Sequence, residues 1–275
     1  MAGETIKTEA ICLSVTPWSR TSHVVAWLTP AGRVGTVVKG AVRPKSAFLG
    51  QYDLNYTCEV VYYARAKGDL HALRECVPLD RRDALREDYA ALALAGYFRF
   101  LADRFAPQGP DCAEWYETLS SALDGLAEEV SAFSSHAAGM PRPPCELSES
   151  QWRRDILIVR HLKTELRILH LLGLEPEIEA ESGAFTLRGE RRIPISPEVA
   201  ACIRTLVSAS TSTSASTSTS ASTSTSTSTS ASTSTFSPII ALDALRSVGV
   251  YYDFHVDGVS DVRRAVLRMI HNKVR

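Results

Sequence analysis

The stretch His23-Val24-Val25-Ala26-Trp27-Leu28-Thr29, Pro30-Ala31-Gly32, Arg33-Val34-Gly35-Thr36-Val37-Val38-Lys39 decides the fold. Two runs rich in β-branched residues flank a Pro-x-Gly turn, the pattern of paired strands. Upstream, Ile6, Thr8, Ala10 and Cys12 alternate with Lys7, Glu9, Ile11 and Leu13. Downstream, Tyr56, Cys58, Val60 and Tyr62 keep the same spacing within Asp53–Ala64. Ala66-Lys67-Gly68-Asp69 reads as a hairpin turn that sends Leu70–Val77 back. Five short strands in so few residues predict a small closed barrel of OB-fold type, which presents a face and loops to oligonucleotides. An SH3-like barrel satisfies the same strand arithmetic.

Past Pro78 the texture becomes helical. Arg81–Phe105 reads as one long helix, ended by Pro107, Gly109 and Pro110. Asp111 caps a second helix to Phe133, and His136–Pro144 is a loop. Ser148 and Gln151 stand in capping-box spacing at the head of a third helix that stops at Gly173. Within it Val159, Leu162, Leu166 and Leu169 form an apolar stripe, and Arg153, Arg160, Lys163 and Arg167 recur on an adjacent face. Glu175–Arg192 reads as irregular or hairpin-like. Ser196 caps, and Pro197 starts, a helix to Val207; two more follow over 238–256 and 258–273. Between them, 208–235 holds only Ser, Thr and Ala, with Ser at every even position from 208 to 234. Such a tract buries too little apolar area to offset its ordering entropy, which predicts a disordered linker. The expected class is therefore α+β. An OB-fold barrel occupies 1–79, and an all-helical domain with a small irregular or hairpin segment occupies 80–275, interrupted by the 208–235 linker.

The chain has 275 residues, 45% of them hydrophobic, which supplies a core and excludes a wholly disordered protein. No run of about 18 apolar residues suggests a membrane span. No basic start followed by an apolar stretch suggests a secretory leader, so a cytoplasmic chain is expected. Cysteines at 12, 58, 76, 112, 145 and 202 never fall into C-x-x-C. They read as reduced, buried thiols rather than as a disulfide framework or a zinc site. Seven histidines include no metal-ligating spacing, and His161 and His170, nine apart, fall on different helix faces. Without a phosphate loop, a dinucleotide fingerprint or a nucleophile elbow, neither an enzyme nor a cofactor is expected.

Recognition signals are stronger. The net charge is −1, yet no acid occurs between Glu9 and Asp53, a window that holds Arg20, Arg33, Lys39, Arg43 and Lys45. Residues 111–150 are acidic, and 258–275 basic. Lys and Arg bind phosphates by releasing condensed counterions. Arg33, Lys39, Arg43 and Lys45 lie on strand ends and a loop; Arg65, Lys67 and Arg74 surround the closing hairpin. Trp18, Trp27, Phe48, Tyr52, Tyr56, Tyr62 and Tyr63 interleave with them. A basic groove with stacking aromatics is how single strands are held without sequence preference. Trp27 and Tyr56 are expected in the barrel core, Trp18 and Phe48 in loops.

Thr8-Glu9-Ala10-Ile11-Cys12-Leu13, Leu28-Thr29-Pro30-Ala31-Gly32-Arg33 and Val38-Lys39-Gly40-Ala41-Val42-Arg43-Pro44-Lys45-Ser46 together resemble the N-terminal domain of the bacterial DNA repair protein family RecO. Gly68-Asp69-Leu70-His71-Ala72-Leu73-Arg74 fits the same domain. Thr164–Pro176 resembles the family's "ELRLLxLLGYxP" helix end, and Tyr251-Tyr252-Asp253-Phe254-His255 its C-terminal "YLxYHLG" helix. The resemblance implies an OB-fold followed by helices, and a non-enzymatic recombination mediator. It implies binding of single- and double-stranded DNA and annealing of strands coated by single-strand-binding protein. It also implies partnership with RecR in loading the RecA recombinase, and a nucleoid-associated cytoplasmic location. Arg33, Lys39, Arg43 and Lys45 carry over as DNA contacts. The acidic tail of single-strand-binding protein is expected on the helical domain, at Arg160, Lys163 and Arg167. Many members carry two C-x-x-C pairs after the "LLGYxP" segment; here 177–195 has no cysteine, so that zinc site is lacking. The alternative is an OB-fold adapter for RNA or a protein partner.

Overall fold

A computed structural model describes residues 4–65, 68, 70–109, 112–137, 148–178, 184–186, 192–211 and 237–271. Packing divides the chain into two compact units, Met1–Met140 and Pro141–Arg275. The barrel strands end at Asp80, and two helices pack with the barrel in the first unit.

Five strands, β1 (Thr5–Pro17), β2 (His23–Thr29), β3 (Gly32–Val38), β4 (Thr57–Tyr63) and β5 (Leu70–Asp80), close a barrel in the order β1-β2-β3-β5-β4. The β3–β5 seam is parallel and the other seams are antiparallel. This is the OB-fold arrangement of a five-stranded Greek-key barrel. Ala10, Cys12, Val25, Trp27, Cys58, Val60 and Tyr62 fill the interior, and Tyr56 joins them. Trp27 Nε1 donates to Thr36 Oγ1 at 2.8 Å, so the buried indole keeps a partner. β1 is buried continuously from Ala10 to Leu13, where strict alternation would expose every other residue. Helices cover its outer face, and a register shift between Cys12 and Ser14 inserts Leu13 as a bulge.

The expected single helix over 81–105 is broken. Arg82 has a left-handed φ of 48°, a 3-10 turn runs Asp83–Glu87, and α1 is Tyr89–Phe105. Asp88 starts α1 as its cap, its Oδ1 accepting from the Ala90 and Ala91 amides at 2.7 and 2.9 Å. The second helix, α2, is Ala113–Ala137; the expected cap Asp111 and residues 138–147, including Cys145, lie outside the described residues.

In the second unit α3 is Glu149–Leu171, opened by the expected reciprocal Ser148–Gln151 box and closed at Gly173 with φ +66°. A two-stranded hairpin pairs β6 (Ala184–Thr186) with β7 (Arg192–Pro194). Three helices follow: α4 (Pro197–Thr211), α5 (Pro238–His255) and α6 (Ser260–His271). Helix α4 continues four residues past the expected end at Val207, into the Ser/Thr/Ala tract. Residues 212–235 of that tract lie outside the described residues.

The core of this unit contains a buried charge cluster. Arg263 Nε and Nη2 donate to the two Glu165 carboxylate oxygens at 2.7 and 2.8 Å, and Nη2 also reaches the Leu245 carbonyl at 2.6 Å. His161 Nε2 lies 3.0 Å from Glu165 Oε1. Tyr252 donates to the Glu165 carbonyl at 3.1 Å. Gly249 makes room for the guanidinium: a Cβ there would collide with Arg263 Nη1, and the hydrogen bonds of Nε and Nη2 hold that group in place.

Candidate nucleic-acid interface

Two connections build one surface at an end of the barrel. β1 stops at Pro17, and the next residues close a tight turn in which the Trp18 and Ser19 amides donate to the Ser22 carbonyl at 2.8 and 3.2 Å. His23 pairs with Val38, so Lys39 leaves β3 beside this turn. The Val42 amide donates to Thr21 O, and the Gly40 amide to Ser22 Oγ, both at 3.3 Å. The β1–β2 turn and the start of the β3–β4 connection are thus fastened together.

The connection itself is a chain of turns. Gly40 at φ +65° admits the first reversal, which most side chains would strain. The amides of Arg43, Ser46, Leu49 and Gln51 then donate in succession to the carbonyls of Gly40, Arg43, Ser46 and Phe48, at 2.9–3.3 Å. Pro44 lacks an amide hydrogen and fixes φ, which suits a turn. Ala41 is buried, and Phe48 and Tyr52 pack on the barrel core. Tyr52 OH lies 2.9 Å from His23 Nδ1, and its ring meets Trp27 edge-on. These anchors leave Lys39, Val42, Arg43, Pro44 and Lys45 exposed. Trp18 is 65% exposed on the neighbouring turn, and Arg20 is exposed beside it.

Among the described residues, Arg20, Lys39, Arg43 and Lys45 form no ion pair. The acid-free stretch of sequence therefore becomes a surface whose positive charge is not neutralised locally. The parallel pairing of Gly35–Val37 with Leu70–Ala72 leads toward Lys39 and Arg74, each two residues beyond the last pair. Arg74 is partly engaged, with its guanidinium over the Tyr63 ring at 5.6 Å and against Glu75 at 3.2 Å. The Arg65 side chain is exposed, and its amide donates to His71 Nδ1 at 3.1 Å while His71 stacks on Tyr62. Lys67 lies outside the described residues.

Arg33 stands apart from the other sequence candidates. Its side chain is 25% exposed, and Nη2 binds Asp103 of α1 at 2.7 Å. This links the barrel to its covering helix. Two other arginines, which read in the sequence only as net charge, do similar work. Arg82 is buried and bonds Asn55 O, Thr57 Oγ1, Asp124 and Ser120. Arg99 donates to the carbonyl of the bulged Leu13. Their common signal is position: each lies just before or within a helix that packs on the sheet. In the second unit Arg160, Lys163 and Arg167 are half-buried along α3 and take part in interactions of their own.

The site offers little for covalent chemistry. Burial pushes the Cys12 thiol up, and a hydrogen bond with Cys58 together with burial pushes Cys76 up, so these thiols stay protonated and poorly nucleophilic. The residues do not fit a zinc site: 177–195 lacks cysteine, and among the described residues no three His, Cys, Asp or Glu side chains gather as metal ligands. No described helix is long and apolar enough to cross a membrane.

Residues 1–82 match the family model described as Recombination protein O N terminal. Three curated relatives are each named DNA repair protein RecO. The protein of Roseiflexus sp. is 29% identical over 126 residues, 46% of this chain and 44% of the relative. That of Desulforudis audaxviator is 29% identical over 178 residues, 64% of this chain and 60% of the relative. That of Geobacter metallireducens is 31% identical over 124 residues, 45% and 50% respectively. The chain spans about half the length of the curated relatives it matches.

Proposed function

We propose that this chain, similar to RecO and carrying at its N-terminus the matching barrel, is a non-catalytic DNA-binding mediator of repair and recombination. It holds single strands on the barrel, anneals complementary strands and helps a recombinase to load. RecR and the acidic tail of single-strand-binding protein are its proposed partners, the latter at Arg160, Lys163 and Arg167. The observation that carries the reading is the exposed surface of Lys39, Arg43 and Lys45, which is free of acidic partners and held by a hydrogen-bonded connection. Arg65 and Arg74 extend it, and Arg33, proposed from the sequence as a further contact, pairs with Asp103. A binding surface of this kind does not select sequence, because phosphate contacts position a strand without reading bases.

The test is fluorescence anisotropy with a labelled oligonucleotide over a salt series, followed by strand annealing in the presence of single-strand-binding protein. Each phosphate contact contributes about 0.7 to the log–log salt slope on single strands. Replacing Lys39, Arg43 and Lys45 together with Ala should lower that slope by about 2, and replacing them with Glu should abolish binding with the fold intact. Normal binding and annealing by the Glu variant would place the DNA elsewhere.

A further inference from the structure

We propose that Trp18 is a stacking platform for an unpaired base of single-stranded DNA, so that the barrel prefers single strands to duplex. The inference rests on the barrel's reading as a DNA-binding module and adds the element that its cations cannot supply. Lysine and arginine attract any polyanion, paired or not. Discrimination needs a group that meets the face of a base, which a duplex keeps stacked inside.

Trp18 has the placement for this. Trp27 and Trp115 are buried, whereas Trp18 is 65% exposed. Its backbone is ordered: its amide closes the turn on Ser22 O at 2.8 Å, and the residues that follow hold Gly40 and Val42 by hydrogen bonds. The indole therefore sits on a pre-formed turn joined to the connection that presents Lys39, Arg43 and Lys45, with Arg20 two residues along. A base that leaves solvent for an indole on a fixed turn loses little backbone entropy from the protein side. The occupant follows from charge: the surrounding window from Ala10 to Tyr52 has no acid, which suits a polyanion and disfavours a neutral apolar partner.

The full chain is titrated with an oligothymidylate of about 20 nucleotides, longer than one barrel's site, with the matching duplex, and with an oligouridylate. Indole emission and anisotropy are both read. The expected result is quenching of the wild-type emission by the single strand, most of the affinity kept in Trp18→Phe, and about a tenfold loss in Trp18→Ala. Duplex affinity and the salt slope stay unchanged, because no charge is removed. The inference is overturned if Trp18→Ala binds single strands like the wild type. It is also overturned if the variant weakens single strand and duplex equally, or if the RNA strand binds more tightly than DNA with the same dependence on Trp18. A wild type that binds no nucleic acid overturns the proposed function itself. A wild type whose binding depends on Lys39, Arg43 and Lys45 but not on Trp18 overturns this inference alone. Trp18 is exposed, so circular dichroism of the Ala variant should match the parent.

Discussion

Glu165 shows what one buried residue contributes. Burial opposes its ionisation, but the Arg263 guanidinium and then His161 outweigh that and hold the carboxyl well below the usual carboxylate range. A depressed carboxylate stabilises the fold above its unfolded value of about 4.3, and that contribution is lost as pH falls toward the folded value. Glu165→Gln leaves Arg263 buried against a neutral partner, and should destabilise the second unit by about 3–5 kcal/mol near neutrality. Urea unfolding at pH 7 and pH 3 checks this: the gap between variant and parent should narrow at the acid pH, because the unfolded chain then protonates this carboxyl while the folded chain still holds it ionised. Arg33 makes the opposite kind of test. Arg33→Ala removes a partly buried pair with Asp103 and should lower the thermal midpoint of the first unit. Its oligonucleotide affinity should fall far less than that of Arg43→Ala, whose side chain is exposed and unpaired.

At the level of elements, the sequence was legible wherever a local rule carried the signal. Each of the five expected segments contains a strand, though β4 starts later and β5 runs on to Asp80, and the Ser148–Gln151 box opens α3 as its spacing requires. Ser148→Ala should cost that helix about 1 kcal/mol, read as a lower midpoint of the second unit. The break before α1 was readable in principle, because Asp88 precedes an Ala-rich run as a cap does. Continuous helix-favouring composition from Arg81 hid it, and the left-handed Arg82 is fixed by tertiary bonds to Asn55, Thr57 and Asp124 that no local window contains. The start of β4 at Thr57 instead of Asp53 has a similar cause: Asn55 takes φ +68° and turns the chain into the strand.

At the scale of the whole molecule, the two compact units each have their own buried core. A fragment of residues 1–140 should fold cooperatively and retain oligonucleotide binding with the parent's salt slope, as measured by a melting curve and anisotropy; a fragment ending at residue 79 should not fold. That shorter piece would expose Ile11, Leu13 and Leu28, which are fully buried in the chain, and would lack Arg82 and Arg99, whose guanidinium groups bond Asn55, Thr57 and Leu13 of the barrel. Composition marked residue 79 as a boundary because residue types change there. β1 is buried on both faces, and the packed unit extends past the barrel to include two helices, which alternation alone could not reveal. The cationic surface was partly legible too. An acid-free window showed in the chain, but only the fold separates Lys39, Arg43 and Lys45, which face solvent, from Arg33, which is spent on Asp103. Gly249 ties two helices to the same buried charge: a methyl group there would displace the Arg263 guanidinium from Glu165 and the Leu245 carbonyl, so the smallest side chain on α5 keeps the ion pair of α3 and α6 closed.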